Sequence, residues 1–191
     1  MIESTQPQDP PPSLERLDTE ALRARKERRE GFKERPRTPI VLVLDGVQGS
    51  YNHGAIFRLC DALMIERLHL CHTELASGHR RFVKAARGTY KWVPHVTGEA
   101  TVEVLAHYRA EGYHVVAVEQ CEGSLPVGEA HFKRPLCLVL GGELSGVSEQ
   151  ALELVDLCVE LPTLGMANSM NVAMSAGMVA LTAYQQLLKE A

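Results

Sequence analysis

The 191-residue sequence contains no apolar run long enough to cross a membrane and no apolar segment near its N-terminus. A membrane-spanning helix needs about 18 or more apolar residues, and a signal peptide needs a shorter apolar segment behind a basic start. Residues 1–12 are instead rich in proline and polar side chains, which is typical of a disordered segment. We therefore expect a soluble, cytoplasmic protein that does not bind membranes.

The five cysteines include no Cys-x-x-Cys pair, and their number is odd. Most lie in apolar surroundings, such as Cys137 between Leu136 and Leu138, which indicates buried thiols in a reducing compartment. Residues 69–72 (His, Leu, Cys, His) alone resemble a metal-ligand spacing. These residues lie in a short predicted strand, and the sequence offers no second cluster of metal-ligating residues to complete a site. We therefore predict no metal site.

Both common glycine-rich phosphate fingerprints, G-x-G-x-x-G and G-x-x-x-x-G-K-[ST], are missing. Residues 141–146 (Gly-Gly-Glu-Leu-Ser-Gly) come nearest, but Glu143 would repel a phosphate. A nucleophilic triad is not indicated either, because Ser50 and His53 lie near each other in sequence without an orienting acid. The ligand expected near Glu143 is therefore uncharged or cationic.

The net charge of −4 is unevenly distributed. Residues 23–37 hold eight basic and three acidic side chains, a local charge of +5 that leaves −9 on the remainder; the basic residues include Arg25, Arg28 and Arg29. Two interpretations fit this pattern: an arm that binds phosphates, or the solvated face of a helix.

Strand and helix patterns alternate from residue 40 onward, and no internal repeat is visible. Ser13 is expected to cap a helix that runs to about Glu30 and ends at Gly31. Two regions follow: residues 1–38, a disordered N-terminus with a basic helical extension, and residues 39–191, an α/β domain with a mostly parallel sheet and flanking helices. We predict strands at 40–44, 67–71, 114–118, 136–140 and 158–161, and helices at 53–63, 100–111, 148–156 and 171–188.

Three segments at strand exits are rich in glycine or polar residues: 45–58, 141–147 and 161–171. In a parallel sheet, ligands bind where the chain leaves the carboxyl ends of the strands. Asn52 could cap the first helix or serve the ligand site. Asn168, Ser169 and Asn171 likewise crowd the start of the last helix, as caps or as ligand-binding groups.

The last helix is apolar on nearly every side, which predicts a buried helix. Its small residues recur at helical spacing and form a seam that another backbone could approach closely; they are Ala173, Ala176, Gly177, Ala180 and Ala183.

Three spaced motifs together resemble the SpoU/TrmH branch of the SPOUT methyltransferases. The motifs are Asn52-x-Gly54-x-Ile56-x-Arg58, Gly142-Glu143-x-x-Gly146, and Pro162 followed by Ser169-x-Asn171-Val172. They occur in the family's order within about residues 40–188. Position 170 is Met where the family more often has Leu, and residues 87–93 are most similar to the tRNA-modifying members.

The resemblance implies a fold and a reaction that periodicity does not indicate. Members of this family fold with a C-terminal trefoil knot, form homodimers with active sites near the interface, and transfer methyl from S-adenosylmethionine to the 2′-hydroxyl of an RNA ribose. The partner in that case is RNA, with tRNA favoured over rRNA, and the small-residue seam would face the second subunit.

The resemblance also assigns residues. Gly141, Leu161 and Met170, with Glu119 as a fourth, would hold the cofactor's adenosine through their backbone. Arg58 is the family's catalytic arginine, and its other polar motif positions are Asn52, Glu143, Ser169 and Asn171. Glu143 could instead hold loop N–H groups. Arg87 and Lys91, with Arg25, Arg28 and Arg29 of the basic segment, would bind RNA.

Two other functions remain open. A protein of this fold could bind RNA without methyl transfer, although intact Asn52, Arg58, Glu143 and Asn171 argue against it. The second open function is that of an α/β enzyme with a nucleotide cofactor such as NAD, and the missing glycine fingerprint argues against this function. Within the methyltransferase interpretation, Arg58 could stabilise negative charge or act as a base, and we favour the first because an arginine side chain stays protonated in proteins.

Overall fold

The computed structural model describes residues 16–25, 32, 35–75 and 77–189, and the chain divides into two compact units, Met1–Pro36 and Arg37–Ala191. The first unit contains helix α1 (Thr19–Ala24), where Asp18 Oδ1 accepts a hydrogen bond from the N–H of Ala21 at 2.7 Å. The predicted helix start was wrong, since residues 16–18 are not helical and Asp18 is the cap. Ser13, Arg28 and Arg29 lie outside the described residues.

The second unit is built on a sheet of seven parallel strands in the order β3-β2-β1-β6-β4-β7-β5. The prediction of a mostly parallel α/β sheet is confirmed. The strands are β1 (Thr38–Asp45), β2 (Ile65–Cys71), β3 (His95–Thr97), β4 (His114–Val118), β5 (Leu125–Pro126), β6 (Leu136–Gly141) and β7 (Leu157–Glu160).

Helices cover both faces of the sheet, and this explains why the central strands are apolar without alternation. Alternate residues of β1 and β6 enter two separate cores: Leu42 and Leu138 face one, and Val41 and Val139 face the other. The first core is covered by α2 (Ser50–Ala62), α3 (Arg80–Ala86) and α6 (Val172–Lys189), and the second by α4 (Thr101–Ala110) and α5 (Glu149–Leu152).

Several boundaries differ from the sequence prediction. Residues 80–86 have the composition of a polar segment, but they form α3, in which Phe82 and Ala86 are buried while the three basic side chains of the helix face solvent. The short strands β3 and β5 were not predicted. α5 is also shorter than expected, and Ser148 makes no side-chain capping bond.

The last helix differs most from its prediction. Ala176, Ala180 and Ala183 are at most 1% exposed because they pack into the chain's own first core. The prediction that the seam faces a second subunit is therefore wrong for these three alanines, whereas Ala173 and Gly177 are half-buried. The helix is not buried all round either, since its opposite side exposes a stripe of large apolar residues, named here the α6 stripe: Met174, Met178, Leu181 and Leu188.

Among the helices that the structure describes, none is both long enough and apolar enough to span a membrane.

Replacement of Gly54 tests the packing of α2 on α3. A Cβ at Gly54 would lie 2.7 Å from Ala85 Cβ and 2.8 Å from the carbonyl oxygen of Phe82, so backbone would have to move. We expect Gly54→Ala to lower the free energy of unfolding by about 1–3 kcal/mol, measured by urea denaturation. Gly78→Ala is the control, because a Cβ there meets nothing within 4 Å. Equal midpoints for the two variants would contradict the close approach of the two helices.

Candidate functional site

The exits of β1 and β6 lie side by side at the carboxyl edge of the sheet. The parallel register places Asp45 opposite Gly141, and the N–H of Gly142 donates to the carbonyl oxygen of Asp45 at 3.0 Å. The segments after these strands are named here the first loop (residues 46–49) and the second loop (residues 141–148). Residues 161–171, which follow β7, are the third loop.

The second loop folds back on itself so tightly that Gly141 admits no side chain. A Cβ there would lie 1.9 Å from the carbonyl carbon of Gly146 and 2.1 Å from the nitrogen of Val147. The loop is closed by a hydrogen bond from the N–H of Gly146 to the carbonyl oxygen of Gly142 at 2.8 Å. Gly146 has φ of 64°, a left-handed conformation that glycine adopts without strain.

Two carboxylates hold the end of the second loop. Glu119 accepts from the N–H groups of Val147 and Gln120, each at 2.9 Å. Asp45, which is 5% exposed, accepts from the N–H of Ser148 at 2.8 Å and from the hydroxyl of Thr101 at 2.5 Å. Sequence reasoning did not single out Asp45; its position, at the end of an apolar strand and directly before a glycine, is the signal that could have identified it.

A chain of polar side chains ties the three loops together. The Asn52 amide donates to Glu143 Oε1 and, at 3.2 Å, to the carbonyl oxygen of Gln48. Asn52 Oδ1 accepts from the amide of Asn171 at 2.9 Å, and Asn171 Oδ1 accepts from the N–H of Ala173 at 3.0 Å. The alternative that Asn52 caps its helix is wrong, because Gly49 occupies the cap position. Asn171 does cap α6 in this way.

A cavity of about 170 Å³ lies between the second loop, the third loop and the segment that follows β4. All four predicted cofactor residues line it, and Glu143 and Ser169 do as well. The lining combines apolar residues, glycines and polar or acidic residues; it consists of Val118, Glu119, Gln120, Leu140, Gly141, Gly142, Glu143, Gly146, Glu160, Leu161, Thr163, Ser169, Met170, Val172 and Ser175.

Arg58 does not line this cavity. It is exposed on α2, six residues after Asn52, and within the described part of the chain it makes no hydrogen bond or ion pair with another side chain. The structure therefore joins the side chains of Asn52, Glu143 and Asn171 by hydrogen bonds, and it leaves the Arg58 side chain exposed at the surface. Tyr51, which is 64% exposed, lies seven residues before Arg58 and hence on the same side of the helix.

The remaining predicted RNA-binding residues are at the surface. Arg25 is exposed in the first unit. Arg87, at the end of α3, and Lys91, at the end of a short 3₁₀-helix (Thr89–Lys91), are exposed in the second.

The His-Leu-Cys-His segment is used for packing rather than for ligation. His69 Nδ1 lies 2.6 Å from Glu99 Oε2, and His69 Nε2 lies 2.9 Å from the Tyr108 hydroxyl, so both ring nitrogens are occupied. Burial lowers the pKa of His69, although Glu99 acts in the opposite direction. The lowered pKa favours the neutral ring. In the described ranges no group of three or more His, Cys, Asp or Glu side chains is arranged to hold a metal ion.

Ser50 and His53 do not form a nucleophile–base pair. The Ser50 hydroxyl lies 3.0 Å from His79 Nδ1, while His53 Nε2 bonds the carbonyl oxygen of Val47 at 2.8 Å. The two side chains have different partners, which excludes a relay between them.

The sequence profile of the SpoU rRNA Methylase family matches residues 39–181. A tRNA (guanosine(18)-2′-O)-methyltransferase of Thermus thermophilus is 30% identical over 89% of this chain and 87% of its own length. The crystal structure of the Aquifex aeolicus TrmH/SpoU tRNA modifying enzyme superposes with a TM-score of 0.75 at 27% identity, over 84% of this chain and 83% of that one. An AdoMet-bound rRNA methyltransferase of Sinorhizobium meliloti shares the fold, with a TM-score of 0.72 at 24% identity, over 80% and 58% of the two chains.

Two substitutions at Asn171 separate its two hydrogen bonds. Asn171→Ala removes the cap, so we expect the free energy of unfolding to fall by about 0.5–2 kcal/mol. Asn171→Asp keeps the capping oxygen and should retain most of this stability, while losing the donor to Asn52. Urea denaturation measures the first effect, and the NMR shifts of the Asn52 side-chain amide, changed in both variants, measure the second. Equal stability of the two variants would contradict the cap; Ser169→Ala is the neutral control.

Proposed function

The chain belongs to the SpoU rRNA Methylase family, and from this membership and the geometry of the site we propose that it methylates a ribose 2′-hydroxyl of tRNA. S-adenosylmethionine is the methyl donor, and the activity is that of an RNA (ribose-2′-O-)-methyltransferase. The observation that carries the proposal is the cavity between the second and third loops, with the Glu143–Asn52–Asn171 chain at its rim.

The cavity suits the adenosine part of the donor. Its apolar side chains can contact a purine, and its tightly folded glycine loop exposes backbone groups that can hydrogen-bond one. We assign this contact to the backbones of Gly141, Leu161 and Met170. Glu119 acts beside them by holding Val147 in place, because both of its carboxylate oxygens accept from backbone N–H groups.

S-adenosylmethionine, when bound, supplies a methyl group already activated by its sulfonium, so the chain's own task is to orient the ribose and remove a proton. Arg58 is exposed and has no side-chain partner among the described residues, which leaves its guanidinium available to RNA. We assign it to binding a phosphate and to stabilising negative charge on the 2′-oxygen, since an arginine side chain stays protonated in proteins and is a poor base. The proton passes to water or a phosphate oxygen. Asn52, Glu143, Ser169 and Asn171 shape the rim where the ribose enters.

The relatives that act on tRNA guide the choice of substrate. The Thermus thermophilus relative is named for guanosine 18 of tRNA, so unmodified tRNA with guanosine at that position is the first substrate to test. The same RNA with a 2′-deoxyguanosine at position 18 is the matched control, because it lacks only the proposed acceptor oxygen. Transfer of labelled methyl to the first RNA and not to the second supports the proposal; equal transfer to both contradicts the assigned position.

Arg58 is tested in the same assay. We expect Arg58→Ala to lower kcat by about 100- to 1,000-fold, because a charge-stabilising donor is removed. Arg58→Lys should recover only part of the activity, since it keeps the charge but not the planar fork. Calorimetry should show unchanged affinity for S-adenosylmethionine, because Arg58 does not line the cavity. Near-normal turnover by the alanine variant would contradict the catalytic role.

The alternatives differ in what they bind. An RNA-binding protein without transfer would bind RNA and leave it unmethylated, and an NAD enzyme would bind NAD in preference to S-adenosylmethionine. The cavity lined by all four predicted cofactor residues supports transfer over both. Calorimetry with each cofactor separates the NAD alternative, and the transfer assay separates the other.

We also propose a homodimer, in which the two subunits contact each other through the α6 stripe rather than through the small-residue seam. Four large apolar side chains exposed along one helix are typical of an interface. Their helix starts at Val172, directly after Asn171, so a partner bound there would lie beside the hydrogen-bonded side chains of Asn171, Asn52 and Glu143.

Charge placed in the stripe tests the dimer. Leu181→Asp should shift the protein toward monomer in light scattering at micromolar concentration, because a buried, unpaired charge opposes association. Ala106→Asp, on the exposed side of α4 in the other layer, is the matched control and should leave the mass unchanged. A wild type that is monomeric, or a dimer unaffected by Leu181→Asp, would contradict the proposal.

The basic segment is proposed to bind RNA, together with Arg87 and Lys91. Deletion of residues 1–36 should weaken RNA binding and flatten its dependence on salt by roughly 0.7–0.9 in log–log slope for each phosphate that is no longer neutralised. Affinity for S-adenosylmethionine should stay constant. Fluorescence anisotropy at several salt concentrations measures the slope, and an unchanged slope would favour the solvated-helix interpretation.

We further infer that the C-terminal part forms the trefoil knot implied by the family resemblance. The chain order supports it: β7 pairs with β4, beyond β6, whereas the helix that follows returns to the core shared by β1 and α2.

A further inference from the structure

Two thiols are in direct contact behind the cofactor cavity. Cys121 Sγ lies 2.9 Å from Cys158 Sγ, although the residues are 37 positions apart in sequence. Both are partly exposed, whereas Cys60, Cys71 and Cys137 are fully buried. Among the cysteines, all of which the structure describes, no other pair makes a sulfur–sulfur hydrogen bond.

The pair connects two elements that build the cavity. Cys121 follows Glu119 and Gln120, which line it, and Cys158 is on β7, three residues before the lining residue Leu161. β4 and β7 are already paired side by side, with the N–H of Glu119 donating to the carbonyl oxygen of Val159 at 3.0 Å. A bond between the sulfurs would therefore join neighbours without a rearrangement of the sheet.

We propose that Cys121 and Cys158 form a reversible disulfide that weakens S-adenosylmethionine binding, so that the pair is a redox modification site of the enzyme. The effect on the cofactor rests on the function proposed above; formation of the disulfide does not. Such disulfides in reducing compartments are typically transient and regulatory.

The oxidation is balanced with a small disulfide, such as oxidised glutathione, as the oxidant. The Cys121 thiolate attacks one glutathione sulfur, and one glutathione thiolate leaves. Cys158 then attacks Cys121 Sγ and releases the second. One protein S–S bond forms, one glutathione S–S bond breaks, and the two protein protons end on two glutathione thiols. The two cysteines lose two electrons, which glutathione gains.

The order of these steps follows from the environments of the two sulfurs. Burial, and next the hydrogen bond from Cys121, raise the pKa of Cys158 to about 12. Burial thus keeps Cys158 protonated, which suits it to the second step, and we assign the first attack on the oxidant to Cys121.

Hydrogen bonds transmit the change to the cavity. The Cys121 thiol donates to Cys158 Sγ, and the Cys158 thiol donates to the carbonyl oxygen of Glu119 at 3.4 Å. Oxidation removes both protons, so this carbonyl loses a donor, and the sulfurs must close to about 2.05 Å. The movement pulls on Gln120, whose amide donates to the carbonyl oxygen of Asn168 at 2.9 Å and so links this segment to the third loop.

The first experiment detects the bond itself. The full-length protein is equilibrated with graded ratios of reduced to oxidised glutathione, its free thiols are alkylated after unfolding, and its peptides are analysed by mass spectrometry. We expect a peptide pair joined through Cys121 and Cys158, with the other three cysteines alkylated. Cys121→Ser should abolish the joined pair. A protein that retains both thiols free, or pairs them elsewhere, overturns the inference.

The second experiment measures the consequence. Calorimetry should give a dissociation constant for S-adenosylmethionine that rises about 3- to 10-fold on oxidation, the scale of one weak hydrogen bond, and that falls back when a thiol reductant is added. Cys121→Ser and Cys158→Ala should each bind equally before and after oxidant. A disulfide that leaves the affinity unchanged overturns the regulatory role. Reduced wild type that binds no S-adenosylmethionine instead contradicts the proposed function, whatever the mass spectra show.

Discussion

The parallel pairing of β1 with β6 is the constraint on which the site depends. It places Asp45 opposite Gly141, so the first and second loops leave the sheet at the same edge and are joined there by a backbone hydrogen bond. The second loop must then turn back within a few residues, and at Gly141 there is no room even for a methyl group. A shift of one residue in this register would exchange the two cores and separate the loops.

Carboxylates near the cavity serve to hold backbone. Asp45 and Glu119 accept from consecutive N–H groups at Ser148 and Val147, and Glu143 accepts from Asn52. This arrangement explains how an acidic protein body can surround the cavity: the carboxylates of Asp45, Glu119 and Glu143 are engaged by hydrogen-bond donors. A site of this composition suits an adenosine with a cationic sulfonium better than a phosphate.

The two sides of α6 perform different tasks. Its alanines let the helix approach the core of its own chain, while its opposite side leaves the α6 stripe exposed. Small residues at helical spacing indicate that a backbone passes close by, and they do so whether that backbone belongs to the same chain or to another. The burial of Ala180 decides this case, and it does so because the packed neighbours belong to the first core.

The α/β class, the central strands, the order of the three loops and four residues of the cavity lining could all be predicted from the sequence, because continuous apolar runs and spaced motifs are local patterns. His114–Val118 was predicted with its observed boundaries. α3 was missed because charged side chains hide its buried Phe82 and Ala86.

Three features of the site depend instead on the folded chain. Asn52 bonds Glu143 and Asn171 rather than capping a helix, Asp45 holds the second loop, and Cys121 touches Cys158. Each of these contacts joins residues far apart in sequence, and only the strand order and register of the folded sheet bring such residues together.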